Sequence, residues 1–285
     1  MEDFFPLKTF KNTVIILSKN MDLQECESVA YMVMEKAFFL SRTDIFADRA
    51  FQPDDAQRLK YEVIMSRLKQ NEPIQYILKE AEFYGHSFYV NTNVLIPRQE
   101  TEYLIQIIRN LKDWQAPKIA DIGTGSGCIA CTLSLELENS IVCGYDVSLE
   151  ALKIAEMNGR KLGANIEVQK LDVLNESIKQ TDFDLIISNP PYVTFREKVH
   201  MHNNVLDYEP HLALFVPDEN PLIFYKAIME KAKTSLKNGG LLFFEINEQF
   251  GKNVMLLFQH YGYDNPIILK DLNDKQRFVY AKLVE

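Results

Sequence analysis

The run Ile187-Ser-Asn-Pro-Pro-Tyr-Val193 places an amide, two prolines and an aromatic ring at the end of an apolar stretch. Two consecutive prolines remove two backbone donors and fix φ, and the first of them holds Asn189 extended. A stiff exit from a strand would explain the prolines alone. It would not explain the amide beside them. A planar amide or aromatic amine is a poor nucleophile, because its nitrogen lone pair is delocalised. The Asn189 side-chain oxygen and the Pro190 carbonyl are two acceptors, each able to take one hydrogen of a substrate NH₂. That grip holds the nitrogen and favours a pyramidal geometry, with the lone pair aimed at a methyl donor. Tyr192 offers a flat face for stacking. A sulfonium donor already carries the charge that the reaction disperses, so orientation rather than a strong base supplies the rate. Asn189, Pro190, Pro191 and Tyr192 are therefore the candidate catalytic residues.

A donor site is readable upstream. Asp121 ends an apolar run and is followed by Gly123, Thr124, Gly125, Ser126 and Gly127, and then by a helical stretch. Glycines let the backbone turn sharply and approach a ligand where a Cβ would collide. The dinucleotide fingerprint G-x-G-x-x-G fails here, since its third glycine position, counted from Gly123, is Cys128. The spacing G-x-G-x-G instead suits the amino-acid part of S-adenosylmethionine, which has no pyrophosphate to cradle. Asp146 ends the next strand, 21 residues after Gly125. A carboxylate there can accept both ribose hydroxyl protons and would repel a 2′-phosphate. Asp172 ends the third strand and can accept from an adenine amino group, with Val173 beside the ring. Each feature alone is an ordinary turn or helix cap. In this order, on successive strand ends, they describe a nucleoside-cofactor site that Asn189 also borders, with S-adenosylhomocysteine as the product and no metal.

The elements that must hold these groups follow from periodicity. Apolar strands at 118–122, 141–147, 166–171, 183–188 and 241–246 alternate with helices near 128–137, 149–162 and 222–236. Continuous apolar strands separated by helices imply a parallel sheet covered on both faces. At the end, 266–269 and 278–283 flank Asn273-Asp274 with no room for a crossover helix, so they must pair antiparallel. The expected fold class is α/β: a Rossmann-like, mostly parallel sheet finished by an antiparallel hairpin. Before residue 75 the texture is helical. Asp22 and Glu25 form a capping-box candidate, and a helix over 54–69 carries Leu59, Val63, Ile64 and Leu68 on one face. Between these regions, 82–84 and 87–90 flank Gly85-His86 as a short hairpin. A helix then runs from Thr101 to Leu111. The divisions are a helical domain over 1–74, a connector over 75–98, and an α/β domain over 99–285.

Composition sets limits on function. Hydrophobic residues make up 47% and charged residues 25% of 285, which places the chain with globular proteins. No run approaches the ~20 apolar residues of a membrane helix. The N-terminus lacks a secretory or transit pattern, so a cytoplasmic location is expected. A net charge of −9 disfavours a nucleic-acid backbone as the main partner. Residues 1–72 carry ten Lys/Arg against twelve Asp/Glu, a balance of −2, so no basic arm lies there. Four scattered cysteines make no disulfide framework. Cys128 and Cys131 form a C-x-x-C, which without a second pair reads as two small helix residues packing as hydrophobes. His200, His202 and His211 share one loop and read as solvated or as contacts to a protein substrate. Glu209 is a candidate for shaping a substrate channel, and Arg98 for lying near the cofactor.

The chain resembles the HemK-type peptide chain release factor glutamine methyltransferases among the class I S-adenosylmethionine enzymes. The matching residues are Pro73-Ile-Gln-Tyr76, Leu95-Ile-Pro-Arg98 with Glu100-Thr-Glu102, Asp121 to Gly127, Ser188 to Tyr192, Tyr208-Glu-Pro210, and Gly239-Gly240 leading to Phe244-Glu245. The resemblance implies N5-methylation of the glutamine in the Gly-Gly-Gln loop of release factors. It also implies a helical N-terminal domain that helps hold that protein. Gly123 to Gly127, Asp146 and Val173 would then contact the cofactor, and Asn189 to Tyr192 the glutamine. The enzyme is expected to act as a monomer, without direct nucleic-acid or membrane partners. Departures from the family pattern are Lys79 in place of a frequent Gly, Gln99 in place of a frequent Pro, and missing glycines in 213–225. Asn-Pro-Pro-Tyr alone is shared with enzymes that methylate exocyclic amines, so an adenine-N6 or guanine-N2 nucleic-acid methyltransferase is the second reading. A non-catalytic module on a decayed fold would show gaps at these positions, and there are none.

Overall fold

The computed structural model describes residues 4–19 and 21–284. Its two compact units are the described residues up to Lys79 together with His202–Tyr208, and the remainder, Glu80–Met201 with Glu209 onward. The first unit holds helices α1 (Pro6–Leu17), α2 (Leu23–Phe38), α3 (Arg42–Ala47), α4 (Asp55–Leu68) and α5 (Ile74–Leu78). Each start has a local cause. Pro6 opens α1 at a position where its missing N–H costs nothing. Asp22 caps α2 by accepting from the Glu25 amide at 2.9 Å. Capping boxes open α3 (Ser41 and Asp44) and α4 (Asp54 and Gln57).

The buried face of α4 differs from the expected one. Ile64, Met65 and Leu68 are buried with Tyr61 packed beside them, while Leu59 and Val63 stay exposed. The stripe 61-64-65-68 follows the i, i+3, i+4, i+7 rule, and Leu59 and Val63 lie off it. Together with Phe10, Val33, Met34 and Phe38 these residues make the core of the helical unit. Lys79 ends α5 in the left-handed conformation at φ 57°, so the lysine occupies a backbone state that glycine adopts without strain.

The second unit begins with a hairpin, β1 (Ala81–Phe83) and β2 (His86–Phe88). Phe83 pairs with His86, so the loop is Tyr84-Gly85, one residue before the expected Gly85-His86. Both loop residues have positive φ (50° and 75°), the signature of a type I′ turn. Helix α6 (Gln99–Leu111) follows, with Gln99 at the first helical position.

The sheet and its helices then alternate: β3 (Lys118–Ile122), α7 (Cys128–Glu136), β4 (Ile141–Asp146), α8 (Leu149–Leu162), β5 (Ile166–Lys170) and β6 (Phe183–Ser188). A short strand β7 (Val193–Thr194) leads to α9 (Asn203–Tyr208), which lies in the first unit, where Tyr208 donates its hydroxyl to the Gln70 carbonyl. Then come β8 (Phe215–Val216), α10 (Ile223–Ala232), β9 (Leu236–Glu245), α11 (Gly251–His260), β10 (Tyr263–Lys270) and β11 (Gln276–Leu283). The seven-stranded sheet runs β10-β11-β9-β6-β3-β4-β5. Strands β9, β6, β3, β4 and β5 are parallel, and β11 and β10 close the edge antiparallel, as expected.

Alternation along the strands feeds two cores. Ala120, Ile186 and Phe244 point to one face with Tyr225 and Ile228 of α10. Ile119, Leu185, Ile187 and Phe243 point to the other with Leu104, Ile105 and Ile129. The expected helix over 222–236 stops at Ala232, and β9 starts five residues before the expected 241. Ser235 already accepts from the Phe183 amide at 3.0 Å, which captures the chain into the sheet. The register between β6 and β9 shifts just after that point, and Gly239-Gly240 sits at the irregularity.

One glycine is needed for packing as well as conformation. Gly127 caps α7 at φ 79°, and a Cβ there would meet Ala155 Cβ at 3.0 Å and its Cα at 3.1 Å. Gly163, at the end of α8, has φ 71° and open space around it. Gly163→Ala should therefore cost only the left-handed penalty, about 1–2 kcal/mol. Gly127→Ala should cost about 1–3 kcal/mol beyond that, because α7 and α8 must part. Urea unfolding of the two variants measures the difference, and equal losses would contradict this account of the loop.

Candidate active site

The chain leaves β3 for β4 and β5 on one side, then returns to β6 on the other. That reversal makes a crevice beyond the carboxyl ends of β3 and β6, the place where open α/β sheets bind ligands. A cavity of about 390 Å³ lies there. Gly123 to Ser126, Asp146, Asp172, Val173 and Asn189 to Pro191 all line it, with walls from 92–98 and 210–213. Two expected site residues are not among the lining residues. Gly127 sits at the start of α7 against Ala155, and Tyr192 packs against the core with its hydroxyl turned to Glu245.

The glycine loop is held from three sides. Gly123 and Thr124 donate their amides to the Tyr145 carbonyl (2.8 and 2.9 Å), which ties β3 to β4. The Thr124 hydroxyl donates to Asp121 Oδ2 at 2.7 Å. Asn158 of α8 donates Nδ2 to the Ser126 carbonyl at 2.8 Å and exchanges two bonds with the backbone of Tyr89. Burial pushes the Asp121 carboxyl up to about 7, and the neighbouring Asp146 charge adds to the shift. Asp146 accepts from the Gly125 amide through Oδ2 (3.0 Å) and from the Ser148 amide through Oδ1 (2.9 Å). Each oxygen keeps a further lone pair for a ligand hydroxyl. Burial raises the Asp146 carboxyl as well.

Asp172 is engaged differently. It accepts from Leu174 N and Asn175 Nδ2 within its own turn, and the Asn175 bond holds its carboxyl below the usual range. Beside it, Leu171 and Val173 supply apolar lining, joined by Phe224 and Ile228 of α10.

On the acceptor side, Ser188 donates its hydroxyl to the Ile122 carbonyl at 2.6 Å, which locks the two strand ends together. Asn189 Nδ2 faces Thr101 Oγ1 at 3.5 Å. Thr101 donates to Glu245 Oε2 at 2.7 Å, and the Tyr192 hydroxyl reaches Glu245 Oε1 at 3.3 Å. Burial raises the Glu245 carboxyl, and burial followed by the Glu245 charge raises the Tyr192 phenol. The two outer wall segments are joined by an ion pair. Arg98 Nη2 lies 2.6 Å from Glu209 Oε1, and the buried Glu209 also accepts from the Ile96 amide.

Burial pushes the Cys128 and Cys131 thiols up to about 12, so both stay protonated and pack as apolar groups. The His211 ring stands edge-on to Phe215. Among the described residues no group of three or more His, Cys, Asp or Glu could hold a metal ion. Nor is any described helix long and apolar enough to cross a membrane. Sequence reasoning passed over Thr101, Asn158, Ser188 and Glu245 as working groups. The available signal was a polar residue at a position whose periodicity assigns it to the core.

Comparison with known proteins places this geometry in a family. The PrmC N-terminal domain matches residues 19–78, and the methyltransferase small domain matches residues 99–208. The release factor glutamine methyltransferase of Flavobacterium psychrophilum is 43% identical over 267 residues, covering 92% of this chain and 94% of that one. The enzyme of the same name from Bacteroides thetaiotaomicron is 40% identical over 259 residues, covering 90% and 93%. Among solved structures, a methyltransferase from Pyrococcus furiosus shares the fold with a TM-score of 0.52 at 18% identity, covering 77% of this chain and 98% of that one. Identity of this extent runs through the helical unit and the sheet alike, and the chain belongs to the release factor glutamine methyltransferase family.

Proposed function

We propose that this protein transfers a methyl group from S-adenosylmethionine to the side-chain amide nitrogen of the glutamine in the Gly-Gly-Gln loop of peptide chain release factors. One observation carries the proposal: Asn189 and Pro190 line the same cavity as the glycine loop and Asp146, at the ends of neighbouring strands. The residues present fit the cofactor. A Cβ at Gly123 or Gly125 would meet no protein atom within 4 Å, so that side of the loop is open to a ligand. Asp146 would suit ribose hydroxyls, Val173 an adenine ring, and Thr124 and Ser126 the amino-acid part. S-adenosylmethionine, when bound, supplies a methyl group activated by its sulfonium.

The chain's own work is orientation. Asn189 Oδ1 and the Pro190 carbonyl each take one hydrogen of the glutamine NH₂, which turns its lone pair out of conjugation and into the cavity. Pro191 stiffens the carbonyl before it. Tyr192 backs the motif from the core side, where its hydroxyl meets Glu245. Once methylated, the nitrogen carries positive charge and sheds its spare proton to solvent without a dedicated base.

Exposed Phe39, Phe46, Leu59 and Val63 of the helical unit provide apolar surface for holding a protein substrate. The net charge of −9 accords with a protein partner rather than a nucleic acid. The enzyme acts as a monomer in the cytoplasm, without a metal or a membrane partner.

Incubation with methyl-labelled S-adenosylmethionine and a release factor, followed by mapping of a one-methyl mass shift, tests the proposal. Label on DNA or RNA instead of the loop glutamine would overturn it. Asn189→Ala should lower the transfer rate on the order of 10²-fold. Its S-adenosylmethionine affinity, measured by calorimetry, should stay near that of the wild type. Asp146→Ala should do the reverse at the binding step and weaken cofactor affinity about 10-fold or more, because the Gly125 amide loses its acceptor and the ribose its partner. A variant pair that lost both properties together would contradict the division of roles.

A further inference from the structure

We propose that Thr101 and Glu245 are positioning residues that set which way the Asn189 amide faces, so that its oxygen meets the acceptor and the site selects an NH₂ group. The inference rests on the methyl-transfer function proposed above. The two ends of an asparagine amide have nearly the same shape, so packing cannot tell oxygen from nitrogen, and only hydrogen-bond neighbours can. Reversed, Asn189 would present an NH₂ to the substrate NH₂. Two donors would face each other, and the pocket would suit a carboxylate or a hydroxyl instead.

The neighbours leave one arrangement. A threonine hydroxyl has a single hydrogen, and that of Thr101 goes to Glu245 Oε2 at 2.7 Å. With its hydrogen committed, Thr101 Oγ1 has only lone pairs to offer. The group 3.5 Å away is Asn189 Nδ2, a donor. Donation therefore runs in one direction, from Asn189 to Thr101 to Glu245, and Asn189 Oδ1 is left pointing away from this chain of bonds. The other oxygen of the same carboxylate takes the Tyr192 hydroxyl at 3.3 Å. One buried carboxylate thus braces both ends of Asn-Pro-Pro-Tyr.

The fold explains why it can. Ser188 pairs with Phe244 across β6 and β9, so the last residue of β9 lies beside the first residue after β6. Thr101 reaches the same point from the first turn of α6. Arg277 precedes Phe278, the partner of Glu245 on β11; burial raises the Glu245 carboxyl, and the Thr101 hydrogen bond and the Arg277 cation oppose that rise by favouring the acceptor-only carboxylate.

Three variants test the inference. Thr101→Val keeps the shape and removes the hydroxyl, Thr101→Ser restores it, and Glu245→Gln brings in an amide that can donate to Thr101 and reverse the chain. Steady-state methylation of a release factor gives kcat and both KM values, calorimetry gives cofactor affinity, and thermal unfolding reports folding. Thr101→Val and Glu245→Gln should lower kcat about 10-fold or more, with cofactor affinity and the KM for the release factor within about 3-fold of the wild type. Thr101→Ser should recover to within about 3-fold. A Thr101→Val enzyme with wild-type kcat would overturn the inference. So would a loss shared equally by cofactor affinity and unfolding temperature, or a serine variant that fails to recover. A wild-type enzyme that leaves the release factor unmethylated would instead remove the functional proposal, and this inference with it.

Discussion

The pairing of β6 with β3 is the constraint on which the rest of the site depends. Because the chain crosses back over the sheet before β6, no other strand separates the ends of these two. Their register sets Ile122 opposite Ser188, so Gly123 and Asn189 leave the sheet side by side. The bond from Ser188 Oγ to the Ile122 carbonyl closes the gap between the strand ends. A slip of one residue would carry Ser188 to the other face and Ile187 into the crevice, since side chains alternate with a period of two. Both cores resist that slip, because Leu185 and Ile187 belong to one and Ile186 to the other.

Beneath this crevice the protein buries two carboxyl groups, Asp121 and Glu245. Asp121 and Glu245 stand at the ends of β3 and β9, and each takes the hydroxyl of a nearby threonine, Thr124 or Thr101. Burying a carboxylate is costly unless hydrogen bonds and charge compensate, and both groups have raised pKa values as a result. An apolar pair of equal volume would serve stability as well. What the carboxylates add is direction: each accepts a hydrogen bond and so fixes the orientation of a threonine hydroxyl. Thr124 is part of the glycine loop, and Thr101 meets the amide of Asn189. The same construction stands under the loop on one side of the crevice and under Asn-Pro-Pro-Tyr on the other.

Much of this was legible in the residues themselves. Apolar runs gave the five parallel strands, and the missing crossover gave the antiparallel edge. The glycine spacing with Asp146, and Asn-Pro-Pro-Tyr at another strand end, located the cavity. Periodicity says which face a residue occupies, however, and not what it meets there. It could not show that Tyr192 turns its hydroxyl to a carboxylate on β9, or that Asp172 accepts hydrogen bonds within its own turn. Thr101, Asn158 and Glu245 find their partners 88, 69 and 53 positions away. Such partners become neighbours only once the sheet order is known. The shifted β1–β2 loop and the early start of β9 have a local cause: glycine marks an irregularity without fixing its register.

The cavity's two kinds of wall divide the work. Strand ends and the turns bonded to them carry the groups that must hold position to a fraction of an ångström, because a methyl transfer tolerates little misalignment. The outer wall consists of 92–98 and 210–213, which no strand of the main sheet supports. It is joined instead through Glu209, buried to 1% of its side chain, to the half-exposed Arg98 and the Ile96 amide. A buried carboxylate with a cation and an amide donor around it is expensive to separate, so the two segments behave as one piece. Substitution of Glu209 should therefore disturb the wall segments that it joins before it disturbs the strand ends that carry Asn189.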